Sequence, residues 1–312
     1  MNEIRKDYLL DRWAIISPDR EKRPKQKKGK KKICPFCPGN EDLTPPEKFS
    51  IGDPWQLRSI PNKFFALSPK TDLKKSGGFL TNMNGYGFHE VLIESRKHKA
   101  KMRNFSDEHL FNVLNTYKKR VNVLNKKDKI EHVFVFRNYG KDAGASLPHP
   151  HSQIIAFPFV PTLIKQEIKK SKKYFSNNNS CIFCDILKKE RKKRRIYSNN
   201  SFVAIAPYAS ICHGEVWILS KDHTSSITQF DKKKLTDLAE ILKKVLKGLG
   251  KYFKNPSYKY FLHMSKPNDY YHFHIEIYPK ITHRGGVEDG SGVYINELSP
   301  EKLASDLKEV VK

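Results

Sequence analysis

The feature that most constrains this chain is an internal duplication of its cysteines and histidines. Cys34-Pro-Phe-Cys37 is echoed by Cys181-Ile-Phe-Cys184, and Ser95-Arg-Lys-His98 by Ser220-Lys-Asp-His223. His149-Pro-His151 at the head of an apolar run is echoed by His272-Phe-His274 at the head of another. The separations agree as well: 51 positions from His98 to His149, and 49 from His223 to His272. Between each distant histidine and its H-x-H lies an amphipathic helical pattern. Leu110, Val113, Leu114, Tyr117, Val121 and Leu124 share one face in the first, and Leu235, Leu238, Leu242, Val245 and Leu249 in the second. A strand-like run follows each, His132 to Arg137 and Tyr258 to His263. The expectation is an α+β chain of two tandem repeats, each an antiparallel sheet with a long helix. The first spans residues 1–165 and the second 181–312, and the break falls in the polar Lys/Ser/Asn-rich stretch from Gln166 to Ser180.

Each repeat supplies two thiols and two imidazoles, a closed tetrahedral donor set for zinc. The expected sets are Cys34, Cys37, His98 and His149, and Cys181, Cys184, His223 and His272. The ligands lie on separate segments, so each ion would staple a loop to a sheet. Iron is an alternative to zinc at the second site. Without a secretion signal, such pairs read as metal ligands or redox pairs before structural disulfides.

The halves differ where chemistry would differ. The stretch from Asn138 to Ser146 is rich in small residues and precedes the first H-x-H. It is expected to offer backbone N–H groups and the Ser146 hydroxyl to a phosphate. Gln153 lies two residues past His151 on the same strand face, and its amide can donate to a phosphoryl oxygen. The second H-x-H is followed by Glu276, whose carboxylate repels phosphate. His151 is therefore the expected nucleophile at phosphorus, with a backbone carbonyl fixing its tautomer, and His274 is expected to be structural or to form part of the opposite wall of a cleft. Arg20 and Arg23 offer guanidinium forks for phosphate, or serve as ordinary solvated cations, and Asn62 sits where a turn could close over a base or ribose.

Composition adds one question. Lys and Arg total 59 against 33 acidic residues, a net charge of +26, concentrated in Lys25 to Lys32, Lys169 to Lys173 and Lys188 to Arg195. Solvated loops account for such runs, and no aromatic-interleaved pattern accompanies them, so no specific nucleic-acid partner is expected. A basic zinc-stapled nucleic-acid-binding protein is the non-enzymatic alternative. No apolar run reaches a membrane-spanning length and the first residues lack a signal core, so a cytoplasmic protein with no membrane partner is expected.

Several further motifs carry a resemblance: R-W-x-I-I-S-P-x-R-x-K-R-P from Arg12, P-N-K-F-x-A-L from Pro61, G-F-H-E-V from Gly87, F-x-N-x-G-x-x-A-G-A-S from Phe136, and H-P-H-S-Q from His149. Together with the cysteine pairs, the chain from about Arg12 to Asn296 resembles the galactose-1-phosphate uridylyltransferase family of the histidine-triad superfamily. That resemblance implies a homodimer that moves UMP between UDP-glucose and galactose 1-phosphate through a uridylyl-histidine. By motif position the nucleophile falls on His151, the phosphate-contacting glutamine on Gln153, nucleotide contacts on Arg20, Arg23, Asn62, Asn138 and Ser146, and zinc ligands on Cys34, Cys37, His98 and His149. Many members have Gly at the position of Ser152. That departure, the second cysteine pair and the tail from His283 to Asn296 resemble a sister branch of ADP-glucose phosphorylases, which implies ADP-glucose and inorganic phosphate as alternative substrates and a tail that closes over the sugar phosphate.

Overall fold

A computed structural model describes residues 2–10, 12–22 and 33–311. Arg23 and the run from Lys25 to Lys32 lie outside the described residues. The strands in chain order are β1 (Glu3–Lys6), β2 (Trp13–Ile16), β3 (Phe49–Ile51), β4 (Leu57–Pro61), β5 (Lys75–Ser76), β6 (Asn82–Asn84), β7 (Phe88–Ile93), β8 (His132–Tyr139), β9 (His151–Phe157), β10 (Arg195–Ser198), β11 (Phe202–Ile205), β12 (Val216–Ser220), β13 (Tyr258–His263) and β14 (His274–Pro279). The α-helices are α1 (Asp107–Asn125), α2 (Thr162–Asn178), α3 (Ile182–Lys189), α4 (Lys232–Tyr252), α5 (Gly286–Ser291) and α6 (Pro300–Val311). The chain divides into two compact units that interleave in sequence. One gathers 1–99, 116–135 and 146–170, and the other 100–115, 136–145 and 171–312.

In the first unit, β9, β7, β4 and β3 pair antiparallel in that order. Strand β7 shows why this sheet has two different faces. Successive side chains alternate, so His89, Val91 and Ile93 share one face while Glu90 and Leu92 occupy the other, followed by Glu94 just past the strand end. Ile60, Val91 and Ile93 pack with Phe36 and Trp55 on the first face. On the other, Arg120 of α1 grips Glu90 in a bidentate pair at 2.8 and 2.7 Å, Ser59 donates to the same carboxylate, and the Tyr117 hydroxyl donates to Glu94. Gly87, just before β7, has φ of +144°, and a Cβ there would stand 2.4 Å from the Ala156 carbonyl oxygen of β9. The glycine of the G-F-H-E-V motif is thus required by strand approach as well as by backbone conformation. A second, small sheet runs β2-β1-β6-β5 and packs Ile4 and Met83 with Leu67, Trp13 and Phe157.

In the second unit, β10, β11, β12, β14 and β13 pair antiparallel in that order. Leu235, Leu238, Leu242, Val245 and Leu249 form the buried stripe of α4. Asp231 caps its start by accepting from the Lys234 N–H, and the buried Lys234 ammonium reaches back to Asp222 and Thr224, which flank His223. At Gly248 helix α6 comes so close that a Cβ would lie 2.5 Å from Val311.

The polar stretch from Gln166 to Ser180 is mostly helical: α2 covers Thr162–Asn178. Its lysines are the solvated face of a narrow stripe in which Ile164 and Ser171 are buried and Ile168 and Tyr174 half-buried, at helical spacing. Among the described residues no helix is long and apolar enough to cross a membrane.

Candidate active site and metal centres

The first cysteine pair sits on a turn closed by the Cys37 N–H donating to the Cys34 carbonyl. This turn lies against His98 and His149. The Cys37 sulfur is 3.2 Å from His98 Nδ1 and 3.6 Å from His149 Nδ1, and the Cys34 sulfur is 3.7 Å from His149 Nδ1. All four donor atoms lie within 4.8 Å of one another. Zinc–sulfur and zinc–nitrogen bonds in a tetrahedron place neighbouring ligand atoms about 3.5 Å apart, so this donor set fits zinc in both chemistry and spacing. The other nitrogen of His149 donates to the Ser95 carbonyl at 2.6 Å, which leaves Nδ1 with its lone pair toward the sulfurs. Burial pulls the His149 ring down to about 4 and pushes the Cys34 thiol up to about 11. The imidazole is therefore neutral and ready to ligate, while the thiol must lose its proton to solvent as it ligates a metal.

His149 lies just outside β9, which begins at His151. Its carbonyl accepts from His151 Nδ1 at 2.8 Å. A carbonyl only accepts, so the His151 proton is on Nδ1 and Nε2 carries the lone pair. One residue thus faces the metal donors through its ring and sets the tautomer of the next histidine through its backbone. Phe36, between the two cysteines, packs edge-on against both rings, at 6.0 Å from His149 and 5.5 Å from His151.

His151 lines a cavity with Gln153, Ser146, Asn62, Lys63 and apolar walls that include Phe36, Ile60, Phe64 and Val91. The Gln153 carbonyl oxygen receives His89 Nε2 at 2.9 Å and the Asn62 amide at 3.5 Å. Asn62 is held in turn by accepting from the Phe64 N–H at 2.8 Å. Arg20 donates to the Phe64 carbonyl and so braces the Asn62–Phe64 turn.

Asn138 belongs to the second unit, where its amide stands near Gly144. The Gly144 and Ala145 N–H groups donate to the carbonyls of Lys141 and Gly140, because the tight turn uses them internally. The Ser146 and Gln153 side chains line the cavity beside His151. Ser152 points to the opposite face of β9 from His151 and Gln153, fully buried, and its hydroxyl has no partner among the described residues. This position therefore faces the packed side of the sheet and not the cavity. His89 escaped the sequence reading as a site residue, since a strand histidine reads as core until its partners are known.

The second unit repeats the relay. The Cys184 sulfur is 3.6 Å from both His223 Nδ1 and His272 Nδ1, and the Cys181 sulfur is 4.0 Å from His272 Nδ1. His272 Nε2 lies 2.8 Å from the Ser220 carbonyl, and His274 Nδ1 lies 3.0 Å from the His272 carbonyl. Phe183 packs on His272 and His274 as Phe36 does on its pair. Here, however, His274 Nε2 faces Glu276 at 3.6 Å, and His263 approaches the same carboxylate at 3.7 Å. Burial alone would raise Glu276, but the two imidazoles and the Tyr278 hydroxyl outweigh it and hold the acid at about 2. A permanent anion stands where the first unit has a neutral amide.

The comparisons with known proteins agree with this picture. The N-terminal domain model of galactose-1-phosphate uridyl transferase matches residues 1–161, and the C-terminal domain model matches 167–287. An ADP-glucose phosphorylase of Arabidopsis thaliana is 35% identical over 99% of this chain and 93% of its own length. A galactose-1-phosphate uridylyltransferase of Thermotoga maritima is 30% identical over 99% of this chain and 98% of its own. The crystal structure of the Arabidopsis ADP-glucose phosphorylase with bound ADP-glucose superimposes with a TM-score of 0.81 at 35% identity, covering 99% of each chain. A uridylyltransferase structure does so with 0.87 at 28% identity, covering 99% of this chain and 98% of that one. On the evidence of both domain matches and of relatives aligned along nearly its full length, the chain belongs to the galactose-1-phosphate uridyl transferase family of transferases.

Proposed function

We propose that this protein transfers a nucleoside monophosphate from a nucleotide-sugar to a phosphate acceptor through a covalent bond to His151. The observation that carries the reading is the His149 carbonyl bonded to His151 Nδ1 beside a cavity that also holds Gln153 and Ser146. His151 Nε2 attacks the α-phosphorus, an N–P bond forms, and the P–O bond to the sugar phosphate breaks, releasing a hexose 1-phosphate. An acceptor phosphate oxygen then attacks the same phosphorus and the N–P bond breaks. The imidazolium formed in the first step keeps its Nδ1 proton on the His149 carbonyl. The Gln153 amide donates to the phosphoryl oxygen that gains charge. Residues 1–165 and 181–312 are read as two copies of one histidine-triad repeat, each stapled by zinc on Cys34, Cys37, His98 and His149 or on Cys181, Cys184, His223 and His272, with iron an alternative at the second set. At either set a zinc ion would be structural, holding the cysteine turn and the first histidine of H-x-H in place.

The first reading of the substrates is UMP exchange between UDP-glucose and galactose 1-phosphate, supported by the family models. The second is adenylyl transfer from ADP-glucose to inorganic phosphate, favoured by the 35% identity to the Arabidopsis phosphorylase. Arg20, Arg23 and Asn138 are carried as nucleotide contacts, a homodimer as the assembly, and the tail after His283 as the cover over the sugar phosphate. The deciding experiment incubates the protein with UDP-glucose or ADP-glucose alone, quenches in mild alkali and weighs the intact chain. A gain of one nucleotide monophosphate, absent in His151→Gly, is expected. The donor that produces it selects between the readings, and no gain with either donor refutes the mechanism.

A further inference from the structure

His89 sits on β7 with only 4% of its surface exposed. Its two ring nitrogens have different partners. The Ala66 backbone N–H donates to Nδ1 at 3.0 Å. A backbone N–H cannot accept, so Nδ1 carries no proton, and the neutral ring bears its hydrogen on Nε2. Nε2 lies 2.9 Å from Gln153 Oε1, which can only accept. The Asn62 amide nitrogen, whose own oxygen is committed to the Phe64 N–H, is 3.5 Å from the same Oε1 and 3.0 Å from His89 Nε2. The close approach of those two nitrogens is what results when two donors converge on one oxygen. Two independent constraints, the Ala66 N–H that sets the His89 tautomer and the Phe64 N–H that orients Asn62, thus point in one direction: the oxygen of Gln153 is turned inward and its N–H2 outward.

We infer that His89 is a positioning residue that fixes which end of the Gln153 amide faces the phosphoryl group. The inference rests on the reading of Gln153 as a phosphate donor. An unanchored amide can turn over and present its oxygen, a partial negative charge, to the phosphoryl oxygens, which opposes the reaction instead of assisting it. The register makes this possible: Gln153 lies directly opposite Val91, so His89 is its diagonal neighbour across the strand pair and within reach of a long side chain. In the second unit a strand histidine, His263, also lies diagonal to the corresponding residue and 3.7 Å from it, but that residue is Glu276, whose two equivalent oxygens need no orienting.

The test is the rate at which His151 acquires its nucleotide, measured by rapid quench with UDP-glucose and with ADP-glucose. His89→Asn keeps an acceptor for the Ala66 N–H but is too short to reach Gln153. His89→Gln reaches it and can donate. His89→Asn should slow labelling about 10- to 100-fold, the loss typical of removing a hydrogen bond that orients a ligating or reacting group, with little change in the half-saturating donor concentration. His89→Gln should restore most of the rate. In a Gln153→Met background, His89→Asn should change the rate no further, because a residue that acts through another has nothing left to orient. Rate losses that multiply in the double variant, or a His89→Asn protein as fast as the unchanged one, would overturn the positioning role while leaving the nucleotidyl-histidine reading intact. An unchanged protein that acquires no nucleotide from either donor overturns both. Melting temperatures of the variants check that the fold is retained; a His89→Gln protein that melts like the unchanged one yet stays as slow as His89→Asn also rejects the role.

Discussion

Arg120→Met should destabilise the first unit far more than an ordinary helix-surface change, and the structure sets the size. The Arg120 and Glu90 side chains are 9% and 6% exposed, and both guanidinium contacts are short, at 2.8 and 2.7 Å. Methionine replaces the stem and its packing but not the charge. The buried Glu90 carboxylate then keeps the Ser59 hydroxyl, at 3.1 Å, but loses both guanidinium contacts. A charge stranded in this way costs about 3–5 kcal/mol, whereas removing both charges together costs much less, because the desolvation penalty disappears with them. The assay is urea unfolding at neutral pH for Arg120→Met, Glu90→Gln and the double variant, read as a shift in midpoint at constant slope. The double variant should be more stable than Arg120→Met alone. A loss below about 1 kcal/mol for Arg120→Met, or a double variant whose loss equals the sum of the two single losses, would refute the argument that α1 is fastened to β7 by a desolvated pair.

Other outcomes follow from the same geometry. With zinc on the first cluster as proposed, chelating it should lower the melting temperature, since metal-binding free energy adds to folding free energy; an unchanged melt would remove the structural role. In the stripped protein His149 titrates near 4 folded against about 6.5 unfolded, because burial disfavours the imidazolium. The unfolded chain then binds more protons between those values, so stability should be full above about pH 6.5 and fall by up to about 3 kcal/mol as pH drops through about 4. A flat profile across that window, measured by thermal melts of metal-free protein, would contradict it. Gly87→Ala should cost about 2–3 kcal/mol, from its positive φ and the approach of the Ala156 carbonyl; a melt within one degree of the parent would contradict this. Ser152→Ala should leave labelling of His151 unchanged and stability equal or higher, because it removes a buried hydroxyl without a partner; slower labelling would place Ser152 in the chemistry after all.

The sequence alone determined the features that depend on repetition and spacing. The duplicated donor sets, the two helix stripes and the H-x-H pattern all repeat at near-constant separations, and a motif whose residues are close along the chain announces its own geometry. The His151 tautomer is of this kind, because its partner is the carbonyl two residues earlier. What the tertiary structure decided depends on partners distant in sequence. The lysines of α2 hide a narrow stripe whose helix is visible only when Ile164 and Ser171 are seen buried. The phosphate loop looked rich in free N–H groups, and only its folded turn shows Gly144 and Ala145 already engaged. His89 reads in sequence as one more strand histidine. Its meaning comes from Ala66 on one side and Gln153, 64 positions away, on the other. A ring with two nitrogens has no assigned donor or acceptor until both neighbours are in place, and those neighbours are brought together by strand pairing rather than by spacing along the chain.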